Sequence, residues 1–371
     1  MMKMRVGIIF GGRSAEHEVS IQSAKNICEA LDRERYEPVL LGVDKGGAWH
    51  MGADSSMILN ATNPKLIALN RSAPEVVPLE REGQGLALVS PTSGAQLGTI
   101  DVFFPIMHGT YGEDGSLQGL LRLLNVPYVG ADVLGSAVGM DKDVMKRLLR
   151  EAALPVPRFT VVHARDLSHC NLDALAEDLG GFPLFVKPCN LGSSVGISKV
   201  KGHDQLRPAL EEALRFDRKA LVEEAIEGRE IECAVLGNDE PEASLCGEVV
   251  PTHEFYSYEA KYIDENGARL KYPAELDGAT SDRIRTLAVK AFTVLECAGM
   301  ARVDFFLRSD GVALINEINT LPGFTRISMY PKLWEVSGLP YPRLLDRLIE
   351  LALERHRKES ALMRQAFPEP R

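Results

Sequence analysis

Apolar positions gather into short runs and periodic stretches that follow one another in a regular order. An apolar run at 6–10, within a strand pattern at 5–10, stops at Gly11-Gly12, and Val19, Ala24, Ile27 and Leu31 then recur at helical spacing. That predicts a buried strand, a glycine turn and an amphipathic helix. A second strand is expected at 38–43, within reach of a right-handed βαβ crossover. The run at 102–107 predicts a further strand, 116–124 a helix after a Gly-rich turn, and 127–130 a short strand. This is the rhythm of a doubly wound parallel α/β domain over 1–140. Inside it, 44–100 reads as hairpins and loops of mixed composition.

A second region, 141–222, opens with a helix at 142–152 that ends ahead of Pro155 and Pro157, which cannot continue it. Strand patterns follow at 158–162, 184–187 and 196–200, with a helix at 204–216. A third region, 223–371, carries strand patterns at 230–236, 301–307 and 312–318 and helical patterns at 282–298 and 341–358. The charged tail beyond Lys358 is expected to fray. No fixed-period repeat or low-complexity block interrupts this order. A length of 371 residues suits two or three domains at about 150 residues each.

Composition narrows the class. Apolar residues are 45% and charged residues 25%, an ordinary globular mixture. Lys and Arg number 42 against 52 Asp and Glu, a formal charge of -10 that argues against a nucleic-acid binder or an anionic-membrane protein. No apolar stretch approaches the ~18 residues that cross a bilayer, and the run after Arg5 is too short for a signal-peptide core. Six cysteines lie far apart without a C-x-x-C pair, which disfavours a disulfide scaffold or zinc finger and fits a reducing cytosol.

Five stretches carry candidate chemistry. Phe10-Gly11-Gly12-Arg13-Ser14-Ala15-Glu16 places backbone N–H groups beside a helix N-terminus, which suits an anion. It contains neither G-x-G-x-x-G nor G-x-x-x-x-G-K-[ST]. The plainer alternative is Ser14 as a helix N-cap, with Glu16 and Glu18 favoured by the dipole. Met107-His108-Gly109-Thr110-Tyr111-Gly112-Glu113-Asp114-Gly115 follows a buried strand at its carboxyl end, where open α/β sheets bind ligands.

Lys187-Pro188-Cys189-Asn190-Leu191-Gly192-Ser193-Ser194-Val195-Gly196 joins two antiparallel strand patterns. Such a hairpin lid lays backbone N–H groups and hydroxyls over nucleotide phosphates, with Lys187 offsetting their charge. Arg302, Asp304 and Phe306 alternate on one strand and Ile315, Glu317 and Asn319 on the next. If Leu307 pairs with Val312, Asp304 stands opposite Ile315 and diagonal to Glu317, so Asp, Glu and Asn oxygens converge as hard ligands for Mg²⁺ held with a nucleotide. Gly323 follows as a position of close backbone approach to a substrate oxyanion. Tyr256-Ser257-Tyr258-Glu259-Ala260-Lys261-Tyr262 reads as a surface loop or as a lid supplying hydroxyls and a cation.

Taken in order, GGRSAEHEVS, HGTYGEDGSLQG, MDK at 140–142, FVKPCNLGSSVGISKV, EGREIECAVLG, YSYEAKY, ARVDFF and INEINTLPGFT resemble the ATP-grasp ligases, and within them the longer form of the D-alanine–D-alanine ligase family. The resemblance covers nearly the whole chain. It implies a three-domain ATP-grasp fold, the doubly wound domain followed by two α+β subdomains that clamp ATP. Lys142, Lys187 and Lys261 match lysines on ATP phosphates, and Ser194 lies in the phosphate loop. The stretch Glu223, Glu224, Ala225 and Ile226 matches the adenine hinge, and Glu230 the ribose-binding acid. Asp304, Glu317 and Asn319 match ligands of two Mg²⁺ ions, with Mn²⁺ as a substitute.

Glu16, Ser193 and Tyr262 match a set that closes the lid over the first D-alanine, with His108 as its neighbour. Arg302 and the Gly323 N–H match oxyanion stabilisers, and Ser328 with Met329 contacts to the second carboxylate. The activity implied is ATP-dependent joining of two D-alanines through a D-alanyl phosphate, for peptidoglycan, in a cytoplasmic homodimer. Alternatives are a D-alanine–D-lactate ligase, another ATP-grasp carboxylate–amine ligase, or a non-catalytic nucleotide-binding regulator on the same fold.

Overall fold

The computed structural model describes residues 3–52, 57–60, 63, 67–81, 85–251 and 268–362. The first strand, β1 (Met4–Gly11), lies between parallel neighbours β2 (Tyr36–Val43) and β9 (Val102–Pro105), with β3 (Trp49–Gly52) antiparallel outside β2. Helix α1 (His17–Ala30) makes the β1–β2 crossover and buries Val19, Ala24 and Ile27. Between β3 and β9 come a two-stranded pair, β4 (Ile58–Leu59) and β5 (Ala68–Leu69), and an antiparallel meander, β6 (Val77–Arg81), β7 (Gly85–Val89) and β8 (Gln96–Ile100).

The strand expected at 127–130 is instead a single parallel bridge, Phe103 to Tyr128. Two backbone bonds of 2.9 Å form there before Gly130, at φ +95°, turns the chain away. Helix α2 (Ser116–Leu123) is followed by α3 (Val133–Met140), which the sequence pattern did not reveal. Its residues, Val-Leu-Gly-Ser-Ala-Val-Gly-Met, are apolar or small all round and so leave no amphipathic period.

Helix α4 (Lys142–Glu151) starts on an Asp141 cap whose carboxylate accepts from the N–H groups of Asp143 and Val144, both at 3.1 Å. The second sheet contains β10 (Phe159–His163), β11 (Leu184–Pro188), β12 (Ser198–Val200) and β13 (Lys219–Glu224), in the antiparallel order β10-β13-β11-β12. Helices α5 (Leu172–Asp178) and α6 (His203–Ala213) accompany it. Strand β13 runs to Glu224, past residue 222 where the second region was expected to end.

The third sheet has β14 (Arg229–Gly237), β15 (Glu242–Pro251), β16 (Ala268–Lys271), β17 (Gly299–Leu307) and β18 (Ala313–Asn319), ordered β16-β15-β14-β17-β18. Helix α7 (Gly278–Val294) covers one face and shares a core with it. Met145 and Leu149 of α4 join that core, so α4 packs on the third sheet although it opens the second region. Helices α8 (Met329–Val336) and α9 (Tyr341–Ser360) complete the described chain, whose residues 363–371, most of the charged tail, lie outside the description.

The first and third units share one hydrophobic core. Phe104 of β9 meets Phe324 edge-on at 5.9 Å between centroids, and Tyr330 and Leu348 pack in the same cluster. Burying a ring such as Phe324 contributes about 2–3 kcal/mol. The loop carrying Gly323 is thereby fixed to both units. Among the described residues no helix is long and apolar enough to cross a membrane.

Candidate active site

A cleft of about 600 Å³ opens where the first unit meets the inner face of the third sheet. Of the residues singled out in the sequence, Glu16, His108, Lys142, Ser193, Glu230, Arg302, Asp304, Glu317, Asn319, Gly323, Ser328 and Met329 line it. Lys187, Ser194 and Glu223 to Ile226 lie outside that lining, and Lys261 and Tyr262 fall outside the described residues.

The β1–α1 turn needs glycine: Gly11 has φ +89°, and a Cβ there would sit 2.3 Å from the Val43 carbonyl oxygen. The helix begins with Glu16 as N-cap, not Ser14. Ser14 serves elsewhere: its hydroxyl donates to the His108 carbonyl at 2.7 Å and accepts from the Glu16 N–H at 2.9 Å. It therefore stitches the first two Gly-rich loops together.

His108 is buried between the units, with Nδ1 3.1 Å from the Leu321 carbonyl and Nε2 3.2 Å from the Ser23 hydroxyl. A carbonyl only accepts, so Nδ1 carries the proton and Nε2 accepts from Ser23. Burial pushes the His108 pKa below the ordinary histidine value, although Glu16 pulls the other way. Glu113, in the same loop, is half-buried and accepts from the Gly109 N–H at 2.7 Å. Burial and then the Glu16 charge push its carboxyl well above the usual range.

The β11–β12 loop is tied down at base, middle and tip. Asn190 donates to Asp217 through its backbone N–H at 2.8 Å and its side chain at 2.9 Å. The Lys142 ammonium donates to the Leu191 carbonyl at 3.1 Å, and the Ser193 hydroxyl donates to Glu16 across the cleft. Ser193 and Ser194 both adopt left-handed backbone, φ 53° and 60°. Two such non-glycine residues in a row store strain of order 1 kcal/mol each or more, held by those anchors.

Strands β17 and β18 bring the oxygen donors together by a register that differs from the expected one. Leu307 pairs with Ala313 rather than Val312, which alone would turn Glu317 to the wrong face. A bulge between Asp304 and Phe305 on one strand, opposite Asn316 on the other, restores it. Asp304 then faces Glu317 directly and Arg302 faces Asn319. Ile315 is not on that face; it pairs with Phe305 in the core.

The Arg302 guanidinium grips Asp304 through both carboxylate oxygens, at 2.7 and 2.6 Å, and lies 3.2 Å from Glu232 on β14. Burial works against its charge, but Asp304 and then Glu232 hold its pKa well above the ordinary arginine value. Lys142 lies 3.2 Å from Glu317, whose charge likewise outweighs burial and raises the lysine's pKa. Asn319 Oδ1 accepts from the Leu321 N–H at 3.1 Å.

The stretch 223–226, at the end of β13, is partly committed to protein contacts. The Glu224 carboxylate takes Arg158 at 2.7 and 2.9 Å, and the Ala225 N–H donates to the Pro183 carbonyl at 3.2 Å. Glu223 is buried between Lys187 and Lys146.

Glu113, Glu232 and Asn316 line the cleft and Lys146 is buried behind it, and the sequence reading passed over all four. Glu113 shares the Gly-rich loop of His108, Lys146 is four residues from Lys142 on one helix face, and Glu232 alternates with Glu230 on one strand. Asn316 stands at the bulge, 3.4 Å from Lys187.

This geometry gathers cations around facing oxygen donors beneath a loop of left-handed serines, which suits a polyphosphate held with a hard metal ion. Residues 5–131 match the family model described as D-ala D-ala ligase N-terminus, and 148–350 that of the D-ala D-ala ligase C-terminus. A curated relative from Chromobacterium violaceum, D-alanine--D-alanine ligase A, is 57% identical over 366 residues, 98% of this chain and 99% of its own. Among solved structures, the D-alanine-D-alanine ligase from Coxiella burnetii is similar at TM-score 0.85 and 40% identity, over 97% of both chains. The VanG D-Ala:D-Ser ligase from Enterococcus faecalis is similar at TM-score 0.82 and 34% identity, over 95% of this chain and 100% of its own.

Proposed function

The chain belongs to the D-alanine–D-alanine ligase family, and from that premise we infer how its cleft joins two D-alanines at the expense of ATP. It is an ATP-dependent ligase of ATP-grasp fold that makes D-alanyl-D-alanine for peptidoglycan. The observation that supports the residue assignment is the facing pair Asp304 and Glu317, each balanced by its own cation, Arg302 and Lys142.

A carboxylate is a poor acyl donor, so the first D-alanine must be activated. Its carboxylate attacks the γ-phosphorus of ATP, giving a D-alanyl phosphate and ADP. Lys142, Lys187 and Lys261 offset the charge that repels the attacking anion, Ser194 presents the phosphate loop, and Glu223, Glu224, Ala225 and Ile226 with Glu230 seat adenine and ribose. The donor set fits Mg²⁺: two carboxylates and an amide oxygen, all hard, from Asp304, Glu317 and Asn319. Among the described residues no group of three His, Cys, Asp or Glu side chains could hold a metal by itself, so phosphate and water oxygens would have to complete the coordination. When bound, two Mg²⁺ or Mn²⁺ ions would supply charge neutralisation on the transferring phosphoryl group.

Glu16, Ser193 and Tyr262 close over the first D-alanine beside His108. The Ser193–Glu16 bond already spans from the phosphate loop to the first unit, and closure keeps water from the acyl phosphate. The amine of the second D-alanine, its carboxylate at Ser328 and Met329, attacks the acyl carbon and expels phosphate. Arg302 and the Gly323 N–H hold the tetrahedral oxyanion. No side chain acts as a covalent nucleophile. The family relationship supports a cytoplasmic homodimer and a division into units at 1–140, 141–222 and 223–371.

Phosphate release from ATP and Mg²⁺ tests the reading, with D-alanine alone and with L-alanine, D-serine or D-lactate beside it. Release with D-alanine alone and a dipeptide product is the expected result. Release only with D-lactate or D-serine present would reassign the acceptor. In the same assay Tyr262→Phe is expected to weaken selectivity for the amine; an unchanged ratio of dipeptide to D-lactate product removes Tyr262 from that role.

A further inference from the structure

Lys146 is wholly buried on α4, four residues beyond Lys142 and on the same face. Its ammonium lies 3.2 Å from Glu223 Oε2, and the other carboxylate oxygen of Glu223 receives Lys187. Lys187 and Glu223 are diagonal neighbours on one face of the β11–β13 ladder, since Phe185 pairs with Glu223 and Lys187 with Leu221. Two cations thus share one buried anion. Lys187 also reaches Asn316, at the cleft edge, at 3.4 Å, whereas Lys146 stands behind Glu223 and does not line the cleft.

The contact between the Lys146 ammonium and Glu223 Oε2 is poorly aligned for a hydrogen bond, so charge contributes most of what holds that pair. Burial lowers the proton affinity of Lys146, and the Glu223 carboxylate opposes that shift. Conversely, Lys146 and Lys187 together hold Glu223 ionised against its own burial. A buried ammonium with no route to the ligand needs a reason, and the sharing of Glu223 provides one. A lysine that must turn to phosphate would leave its carboxylate partner as an uncompensated buried anion, which is strongly unfavourable.

We propose that Lys146 is a positioning residue, the fixed counter-charge of Glu223 that releases Lys187 to follow the nucleotide phosphates. This rests on the reading of Lys187 as a phosphate-contacting lysine. Without Lys146, Glu223 keeps Lys187 to itself and the phosphate end of the site loses a cation.

The test is calorimetric binding of a β,γ-imido ATP analogue with Mg²⁺, and separately of adenosine, to the full chain. Lys146→Met is expected to weaken triphosphate binding by about tenfold or more while adenosine changes by less than about threefold. In a Glu223→Gln background, where no anion competes for Lys187, Lys146→Met is expected to change triphosphate affinity by less than about threefold. Lys146→Arg, which keeps the charge, is expected to restore most of the affinity.

Equal losses for adenosine and triphosphate, or the same loss in both backgrounds, overturn the proposal and leave Lys146 a structural support. Should Lys146→Met fail to fold, the double variant removes both charges together and carries the test against Glu223→Gln alone. Lys187→Met separates the two readings. Unchanged triphosphate affinity there overturns the phosphate role of Lys187 and the proposal with it. A loss in Lys187→Met with none in Lys146→Met overturns the proposal alone.

Discussion

Asp304 on β17 stands directly opposite Glu317 on β18, and the register that puts it there depends on one extra residue, Asn316. Two deviations from a plain hairpin cancel. The turn is one residue longer than Leu307 pairing with Val312 requires, and the bulge adds one more residue before Glu317. The carboxylates end on one face because the total shift is even.

Glu317→Gln keeps the volume of this side chain and removes its charge. Turnover, followed as phosphate release with D-alanine, is expected to fall about a hundredfold or more. Glu317 is 31% exposed at the side chain, so the melting temperature should stay within a few degrees of the parent. Normal activity in the variant would sink the metal assignment.

How far the sequence carries to this site depends on whether a signal is local. The β1–Gly11-Gly12–α1 unit and the antiparallel β11–β12 loop declare themselves by period and by glycine. The oxygen face of β17 and β18 was legible as alternation, yet the pairing expected for it was wrong; bulges carry no pattern of their own. Helix α3 hid because it is apolar on every side. Lys146 was hidden by its chemistry, since a lysine four residues from another reads as a solvated helix face until the fold buries it.

Ser193→Ala removes a hydroxyl that bridges the phosphate loop to Glu16. Hydrogen bonds to a charged partner contribute roughly 1.5–3 kcal/mol. Some of that is offset by the partial exposure of Ser193, so a drop of about tenfold in kcat/KM for D-alanine is expected. Affinity for the ATP analogue should change little, because the loop base at Asn190 and Lys142 is untouched. Equal loss of nucleotide binding would mean that the bond shapes the loop rather than the D-alanine pocket.

His108 makes stability depend on pH with a definite sign. Its folded pKa lies below the ordinary value of about 6.5. Its contribution is complete above that value and is lost as pH falls from about 6.5 toward the folded pKa, where the unfolded chain binds a proton that the folded chain refuses. Glu113 acts oppositely: with its pKa raised, it lowers stability as pH rises above the ordinary carboxyl range. Comparison with His108→Gln isolates the histidine. Between pH 7.5 and 5.5 the urea midpoint of the parent should fall more than that of the variant, by up to about 1.4 kcal/mol per pH unit in free energy. Parallel pH profiles would show that His108 binds its proton alike in the folded and unfolded chains.

Gly323→Ala probes the oxyanion loop without touching a charge. A Cβ at this position would sit 2.7 Å from the Ser328 hydroxyl oxygen, too close for both to stay. The serine can yield only by giving up bonds, because its hydroxyl accepts from the Thr325 N–H at 2.9 Å and meets the Thr325 hydroxyl at 2.8 Å. The backbone is equally fixed, since the next residue, Phe324, is buried and donates its N–H to Ser23 at 3.2 Å. The clash must therefore move Ser328, the proposed partner of the second carboxylate. A rise of about tenfold in KM for the second D-alanine is expected, equivalent to ~1.4 kcal/mol of lost binding. Nucleotide affinity should remain near that of the parent, because Lys142, Lys187 and the phosphate loop lie on other elements. Formation of D-alanyl phosphate, trapped with hydroxylamine, should also persist, since activation of the first D-alanine precedes any use of Ser328. Loss of that trapped product together with the dipeptide would place Gly323 in the phosphoryl-transfer step and remove it from the oxyanion role.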